Sequence, residues 1–198
     1  MPREVELKAV VENVDACRSR LEAAGAAMTF EGRLEDRRYD TPDHRLRDAD
    51  QVLRVRSSTD GRGPRAALEW KGPTGYEQGY KVREEISAST RDAAAIAGIL
   101  ERLGYAVTSE IDRDVVEYVL GDATIRFERY PRMDVLVEVE GSPEAIERAI
   151  EALGIPRDAF SADRLATFIA RFEARTGRRA IVSEHQQADG PGEEIGDG

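Results

Sequence analysis

The chain has 198 residues, of which 39 are acidic and 29 basic, for a formal charge of −10. That length suits one substantial domain or two small ones, and a 40% hydrophobic content is enough for a core. The acidic balance argues against a general nucleic-acid binder, because gripping a phosphate backbone needs basic surface; a single cysteine, Cys17, excludes an internal disulfide and a thiolate metal cluster.

Arg3-Glu4-Val5-Glu6-Leu7-Lys8 alternates as a β-strand does, Val5 and Leu7 on one face and Glu4, Glu6 and Lys8 on the other. Asn13 caps a helix that stops at Gly25, with Val14, Cys17, Leu21 and Ala24 on its apolar side. Cys17 reads as a small residue on that face rather than a nucleophile. Met28 to Tyr39 is extended and polar and ends in the turn Asp40-Thr41-Pro42-Asp43. Leu46 to Asp50 reads as a helical turn. Three strands follow, Gln51–Ser57, Ala66–Lys71 and Tyr80–Ser87, separated by a Gly-rich turn and by a Gly72–Gly79 loop. That loop is no Walker-type phosphate loop, since no Gly-Lys-Ser/Thr opens a helix after it.

Thr90 is the expected cap of a helix ending at Gly104. Tyr105 to Leu120 is extended, Gly121-Asp122 signals a hairpin, and Ala123–Tyr130 and Val135–Gly141 are strands. Ser142-Pro143 opens a helix that ends near Gly154. Ser161 to Thr176 reads as a last amphipathic helix, and the polar, Gly-rich, acidic stretch from residue 178 to 198 is expected to be a disordered tail after a domain of residues 1–177. No signal-peptide pattern and no membrane-length apolar run are present, so a cytoplasmic protein without a membrane partner is expected. Strands joined by hairpins with few helices indicate an α+β fold with an antiparallel sheet.

Six strands carry charges at i and i+2: Glu4/Glu6/Lys8, Arg54/Arg56, Glu69/Lys71, Lys81/Arg83/Glu85, Arg126/Glu128 and Glu138/Glu140. The opposite face is apolar each time. Two readings stay open. In one, a sheet packs on helices and turns its charges to water. In the other, the sheet curls so that its charged face lines a cavity, which also removes exposed edges. Enclosed charges of both signs are costly unless paired or ligand-bound. Arginine forks and lysines suit an anion with many oxygens, and paired carboxylates suit a hard cation such as Mg²⁺ or Mn²⁺. The mixture matches a metal–polyphosphate complex.

Other residues carry less. Trp70 lies on the apolar face of its strand, so core is favoured over a stacking surface for a base. Tyr76 and Tyr80 flank the Gly72–Gly79 loop, with Tyr80 a rim residue or a positioner of water. His44 and His185 have no partner at ligand spacing. Of Arg37 and Arg38 only one can face inward, and solvated and phosphate-rim roles are both open.

Glu4-Val5-Glu6-Leu7-Lys8 is similar to the ExExK signature of the CYTH superfamily, which includes class IV adenylate cyclases and thiamine triphosphatases. Tyr39-Asp40-Thr41-Pro42, Leu53-Arg54-Val55-Arg56, Lys71-Gly72-Pro73, Lys81-Val82-Arg83-Glu84-Glu85 and Glu138-Val139-Glu140 resemble its later blocks in order, across roughly residues 2 to 175. The resemblance implies an eight-stranded antiparallel closed β-barrel, a tunnel with a charged lumen flanked by helices, that binds a triphosphate and Mg²⁺ or Mn²⁺. It implies Glu4, Glu6, Glu128, Glu138 and Glu140 at the metal. It implies Lys8, Arg54, Arg56, Lys71, Lys81, Arg83, Arg113 and Arg126 on the substrate, with Lys81 and Glu85 in catalysis. The blocks look most like the CyaB-like cyclase branch, which converts ATP to cyclic AMP and pyrophosphate. A tripolyphosphate or thiamine triphosphate hydrolase, and a binding module without turnover, are the alternatives. The partner is then a small triphosphate, with monomer and homodimer both open. The chain departs from the family where Asp134-Val135-Leu136 replaces a Gly-x-Phe, Ile111 a lysine and Ser161-Ala162 a Ser-Tyr.

Overall fold

Strand β1 (Arg3–Val10) closes the sheet. Its first half pairs antiparallel with β6 (Tyr80–Thr90), Glu4 opposite Arg83 and Glu6 opposite Lys81. Its second half pairs with β9 (Leu136–Glu140), Lys8 opposite Glu138. The remaining members are β2 (Ala27–Asp40), β3 (Val52–Asp60), β4 (Gly63–Lys71), β7 (Ala106–Leu120) and β8 (Ala123–Arg129). The order β1-β9-β8-β7-β2-β3-β4-β6 returns to β1, so eight antiparallel strands form a closed barrel, as expected. The computed structural model describes residues 3–188.

A ninth strand, β5 (Gly75–Glu77), adds to the edge of β6 within the stretch expected to be loop. It folds back through Gln78-Gly79, both with positive φ (51° and 85°). Two successive positive-φ residues are what a tight hairpin demands.

Alternation decides which side chains face which way. Leu7, Val137, Val139, Ile125 and Phe127 point out of the barrel and are covered by α1 (Val14–Ala23) and α4 (Pro143–Leu153), which present Leu21, Ile146, Ile150 and Leu153. Each such large side chain withdrawn from water is worth roughly 1.5–3 kcal/mol. The helices form where the sequence placed their signals. Asn13 Oδ1 accepts from the Ala16 amide at 3.0 Å. Ser142 Oγ accepts from the Ala145 amide at 3.2 Å ahead of Pro143, and Gly154 ends α4 at φ 68°. Cys17 is buried on α1, and burial raises its thiol pKa, as befits a packing residue.

A smaller cluster joins α3 (Ala93–Arg102), through Leu100, to Tyr39 and Val55. The cap of α3 is Asp92, which accepts from the Ala95 amide at 2.8 Å. Thr90 is instead the last residue of β6, paired with Ala66. A third cluster packs Phe168 of α5 (Leu165–Thr176) on Ile111, Tyr130, Leu136 and Val182. This helix begins four residues later than expected, because Ser161 bridges Lys8 with backbone bonds of 2.9 Å in both directions.

The chain does not lose its structure at residue 178. Ile181 bridges Arg132, Ala180, Ile181 and Val182 are buried, and α6 (Glu184–Ala188) follows. The apolar triplet Ala180-Ile181-Val182, diluted by polar neighbours in composition, supplies the reason. The rest of the expected tail, residues 189–198, lies outside the described residues. Among the described residues no helix is long and apolar enough to cross a membrane. A short α2 (Arg45–Asp48) fills the expected helical turn.

Candidate metal and polyanion site

The charged faces of the strands converge inside the barrel around a cavity of about 670 Å³. That is within the span of small-molecule sites, about 300–1,000 Å³. Its described lining includes ten Asp or Glu and eleven Lys or Arg side chains. A wall so nearly neutral suits a metal–polyanion complex better than a naked polyanion.

The two signs are not evenly spread. Glu4, Glu138 and Glu140, from β1 and β9, bring carboxylate oxygens within 4.8 Å of one another. Glu4 receives Lys71 Nζ at 2.6 Å, and Glu138 receives Lys8 and, at 2.7 Å, Arg126 Nη1. Among the described residues Glu140 has no cation within ion-pair distance. Burial, then the charges of Glu138 and Glu4, push its carboxyl up to about 7. The donors are all carboxylate oxygens, and one of them is electrostatically overloaded. That set fits a hard divalent cation, whose charge would relieve the crowding.

Glu6 and Glu128 stand apart from this trio. Glu6 pairs with Lys81 and, at 3.0 Å, with Lys8. Glu128 receives Arg113 Nε at 2.7 Å and the Tyr130 hydroxyl at 2.7 Å. Both face the lumen beside the trio, but as partners of bases and a phenol.

The bases expected at a substrate all line the cavity: Lys8, Arg54, Arg56, Lys71, Lys81, Arg83, Arg113 and Arg126. Arg54 donates to Asp36 at 3.2 Å and contacts Glu69; Arg56 donates to Asp36 at 2.7 Å. Arg113 joins the same carboxylate at 3.0 Å. Burial alone would raise the Asp36 pKa, but Arg54, Arg113 and Arg56 hold it well below the usual range. Arg83 is different: it donates to the backbone carbonyls of Gly72 (2.6 Å) and Asp50 (2.7 Å) and so ties β6 to the loops beside β5 and β3. Glu85 stands 3.2 Å from Lys71. Arg126 also reaches Glu117 at 2.9 Å.

The sequence does not single out Asp36, shows Glu69 only in a charge pattern without a site role, and leaves solvated and phosphate-rim roles open for Arg38. Glu69 shows the i, i+2 pattern with Lys71. Asp36 and Arg38 are concealed in the run Glu35-Asp36-Arg37-Arg38, charged on both faces. Arg38 faces the cavity, while Arg37 lies outside on Asp112 at 2.5 Å. Trp70 does not line the cavity; its indole nitrogen donates to Gln51 at 3.4 Å. Tyr80 donates to Glu147 of α4 at 2.5 Å, on the covered outer side of the barrel. His44 lines the cavity and His185 pairs with Glu110.

Fold and site together define a closed antiparallel β-tunnel whose interior offers an acid trio for a cation and arginines and lysines for an anion. The CYTH domain profile matches residues 2–153, and the chain belongs to the CYTH domain family. Solved structures share the fold. One is a Vibrio parahaemolyticus protein described as a "putative adenylate cyclase", 19% identical with a TM-score of 0.72, covering 84% of this chain and 97% of the other. A second is a Pyrococcus horikoshii protein, 22% identical with a TM-score of 0.67, covering 88% and 99%. A third, from Hippeastrum, is described as a "putative adenylyl cyclase" with a dominant triphosphatase activity; it is 16% identical with a TM-score of 0.61, covering 88% and 96%. No curated protein matches the chain.

Proposed function

We propose that this protein is a metal-dependent enzyme that hydrolyses the terminal phosphoryl group of a small linear triphosphate held in the tunnel. The observation that supports it is the acid trio on β1 and β9, open to a cation, within one lumen that also gathers arginines and lysines able to hold an anion. Glu4, Glu138 and Glu140 would hold Mg²⁺ or Mn²⁺, which supplies charge neutralisation on phosphate oxygens when bound. Lys8, Lys71, Lys81, Arg54, Arg56, Arg83, Arg113 and Arg126 would orient the phosphates. Each arginine keeps donors beyond those given to its carboxylate, so one fork serves both. Glu85, on β6 beside Lys71, would take a proton from the attacking water. Lys81 would steady charge on the departing diphosphate. Water oxygen bonds to the terminal phosphorus, the bridging P–O bond breaks, and phosphate and diphosphate leave. Such chemistry rests on positioning and charge more than on covalent catalysis.

The tunnel wall favours hydrolysis over cyclisation. Trp70 packs outside the cavity, and of the rings that line it Tyr130 is buried with its hydroxyl on Glu128 and Tyr39 is packed against Leu100, which leaves a nucleobase little open aromatic face. A cyclase acting on ATP is the second reading, favoured by the apolar lining from Leu53, Leu165 and Ala166, which could take a nucleoside. Incubation with tripolyphosphate, thiamine triphosphate or ATP, each with Mg²⁺ or Mn²⁺, separates the two. Phosphate release that Glu4→Gln abolishes supports the hydrolase. Cyclic AMP with diphosphate from ATP replaces it with the cyclase. Tight binding with no product leaves a sensor.

A further inference from the structure

The lumen bases are spoken for, with one exception. Lys8, Lys71, Lys81, Arg54, Arg56, Arg113 and Arg126 each have a carboxylate partner, and Arg83 has two carbonyls. Arg38 lines the same cavity, yet among the described residues its guanidinium donates to nothing. Its Nε is buried and without a hydrogen-bond partner.

The neighbouring carboxylate cannot serve it. Asp36, two residues away on β2, is shared by Arg54, Arg56 and Arg113. Burial, then the charge of Arg54, lowers the Arg38 pKa to about 10; Asp36 offsets only part of this, and Arg113 and Arg83 add to the repulsion. The side chain nevertheless stays cationic at neutral pH. A guanidinium whose Nε is buried without a partner is costly, and such a cost persists where a ligand completes the site.

Its position in the barrel says which part of a ligand it meets. Strand β2 stands four places from β1 in either direction around the closed order, so Arg38 is on the wall opposite Glu4. A β-bulge lies beside it: Arg38 pairs with Ser109 and Tyr39 with Val107, leaving Thr108 unpaired. The extra residue is on β7, and it brings both Thr108 and Ser109 to the cavity wall beside Arg38. An anion that starts at the acid trio and crosses the lumen would meet the wall that carries Arg38. There it meets an unspent fork beside Arg54 and Arg83. That environment suits a doubly charged terminal phosphoryl group with three free oxygens better than a singly charged internal phosphate.

We propose that Arg38 is a further binding residue, which takes the terminal phosphoryl group remote from the acid trio and so selects linear triphosphates with a free end. This rests on the triphosphate reading above. Calorimetric titration of the full chain, with Mg²⁺ present, uses two probes: linear tripolyphosphate, and cyclic trimetaphosphate, which has three phosphoryl groups but no doubly charged end. Arg38→Gln is expected to weaken tripolyphosphate at least tenfold and trimetaphosphate less than threefold. Arg38→Lys is expected to recover part of the loss. Without ligand, Arg38→Gln is expected to melt higher than the wild type, because a cation crowded by Arg54, Arg113 and Arg83, with its Nε buried and unpaired, is gone. Equal tripolyphosphate affinity in wild type and Arg38→Gln overturns the inference and leaves the triphosphate reading standing. So does a lower melting temperature without ligand, which would mark Arg38 as structural. A wild-type chain that binds no tripolyphosphate overturns the triphosphate reading itself.

Discussion

Arg113 on β7 donates to Asp36 on β2 at 3.0 Å, so the two longest strands of the barrel are joined at a carboxylate that Arg54 and Arg56 also use. Asp36 is 1% exposed and is the one carboxylate that all three arginines share, although Arg54 also pairs with Glu69 and Arg113 with Glu128. It acts as the internal counter-ion that lets arginines crowd an enclosed lumen before any substrate enters.

Asp36→Asn should therefore destabilise the protein by about 3–5 kcal/mol, the usual cost of leaving buried charges without their partner. Urea denaturation measures it. Tripolyphosphate should restore part of the loss, because an anion in the lumen replaces the missing charge. A cost below about 1 kcal/mol would mean that the arginines turn to water when Asp36 is neutralised.

The reach of the sequence can be judged from particular strands. On β1, β3 and β9 the alternation is clean, since the outer face is apolar under a helix and the inner face is charged. That pattern let the lumen be read directly. On β2 it failed. Glu35 and Arg37 face outward where charged strands and the C-terminal segment, not a helix, cover the barrel, so Arg37 meets Asp112 and both faces are charged. Asp36 was lost in that run, and the choice between Arg37 and Arg38 stayed open. Strand β5 was lost because three exposed residues carry no periodicity; only the Gln78-Gly79 turn marked it. Thr90 and Asp92 both suit a cap, and strand pairing with Ala66 decided against the first. Closure of the sheet came from resemblance, since periodicity does not distinguish a tunnel from a one-sided sheet.

Glu140 gives the protein a pH signature of its own. Its carboxyl is pushed up to about 7 in the fold from an ordinary 4.5. Below about pH 4.5 it is protonated in both folded and unfolded chains and imposes no penalty. Between there and pH 7 the folded state retains a proton that the unfolded state has lost, so stability drains away as pH rises. Above pH 7 the full cost, roughly 3 kcal/mol for a shift of that size, is present. With metal removed by EDTA, Glu140→Gln should melt higher than wild type at pH 8 and alike at pH 4.5. Parallel melting curves across that range would show that Glu140 ionises freely.

Gly32 on β2 is a packing requirement rather than a flexible joint. A Cβ there would stand 2.1 Å from the backbone oxygen of Thr59 on β3. Backbone cannot swing aside as a side-chain tip can, so Gly32→Ala should cost about 1–3 kcal/mol through forced displacement. Thermal melting checks the cost. Reduced phosphate release under conditions where the variant stays folded would show that the shift reaches Arg54 and Arg56 on β3.

The C-terminal segment offers the last test, because it binds the barrel through backbone as well as side chains. The Ile181 amide donates to Arg132 at 2.9 Å and the Arg132 amide returns a bond at 3.0 Å. The Asp112 amide donates to Val182 at 2.7 Å, and Asp112 Oδ2 accepts from the Glu184 amide at 2.9 Å. Val182 completes the apolar cluster of Ile111, Tyr130, Leu136 and Phe168, of which Ile111 and Tyr130 also line the cavity. Ending the chain at Gly177 should thus uncover that cluster and weaken one wall of the tunnel. The loss should exceed that of Val182→Ala, which removes two methyl groups at roughly 0.8 kcal/mol each plus a cavity term. Melting temperatures of the full chain, Val182→Ala and the shortened chain should fall in that order. Tripolyphosphate should protect the full chain from proteolysis more than the shortened one. A shortened chain that melts with the full one would mean that the segment only rests on the barrel.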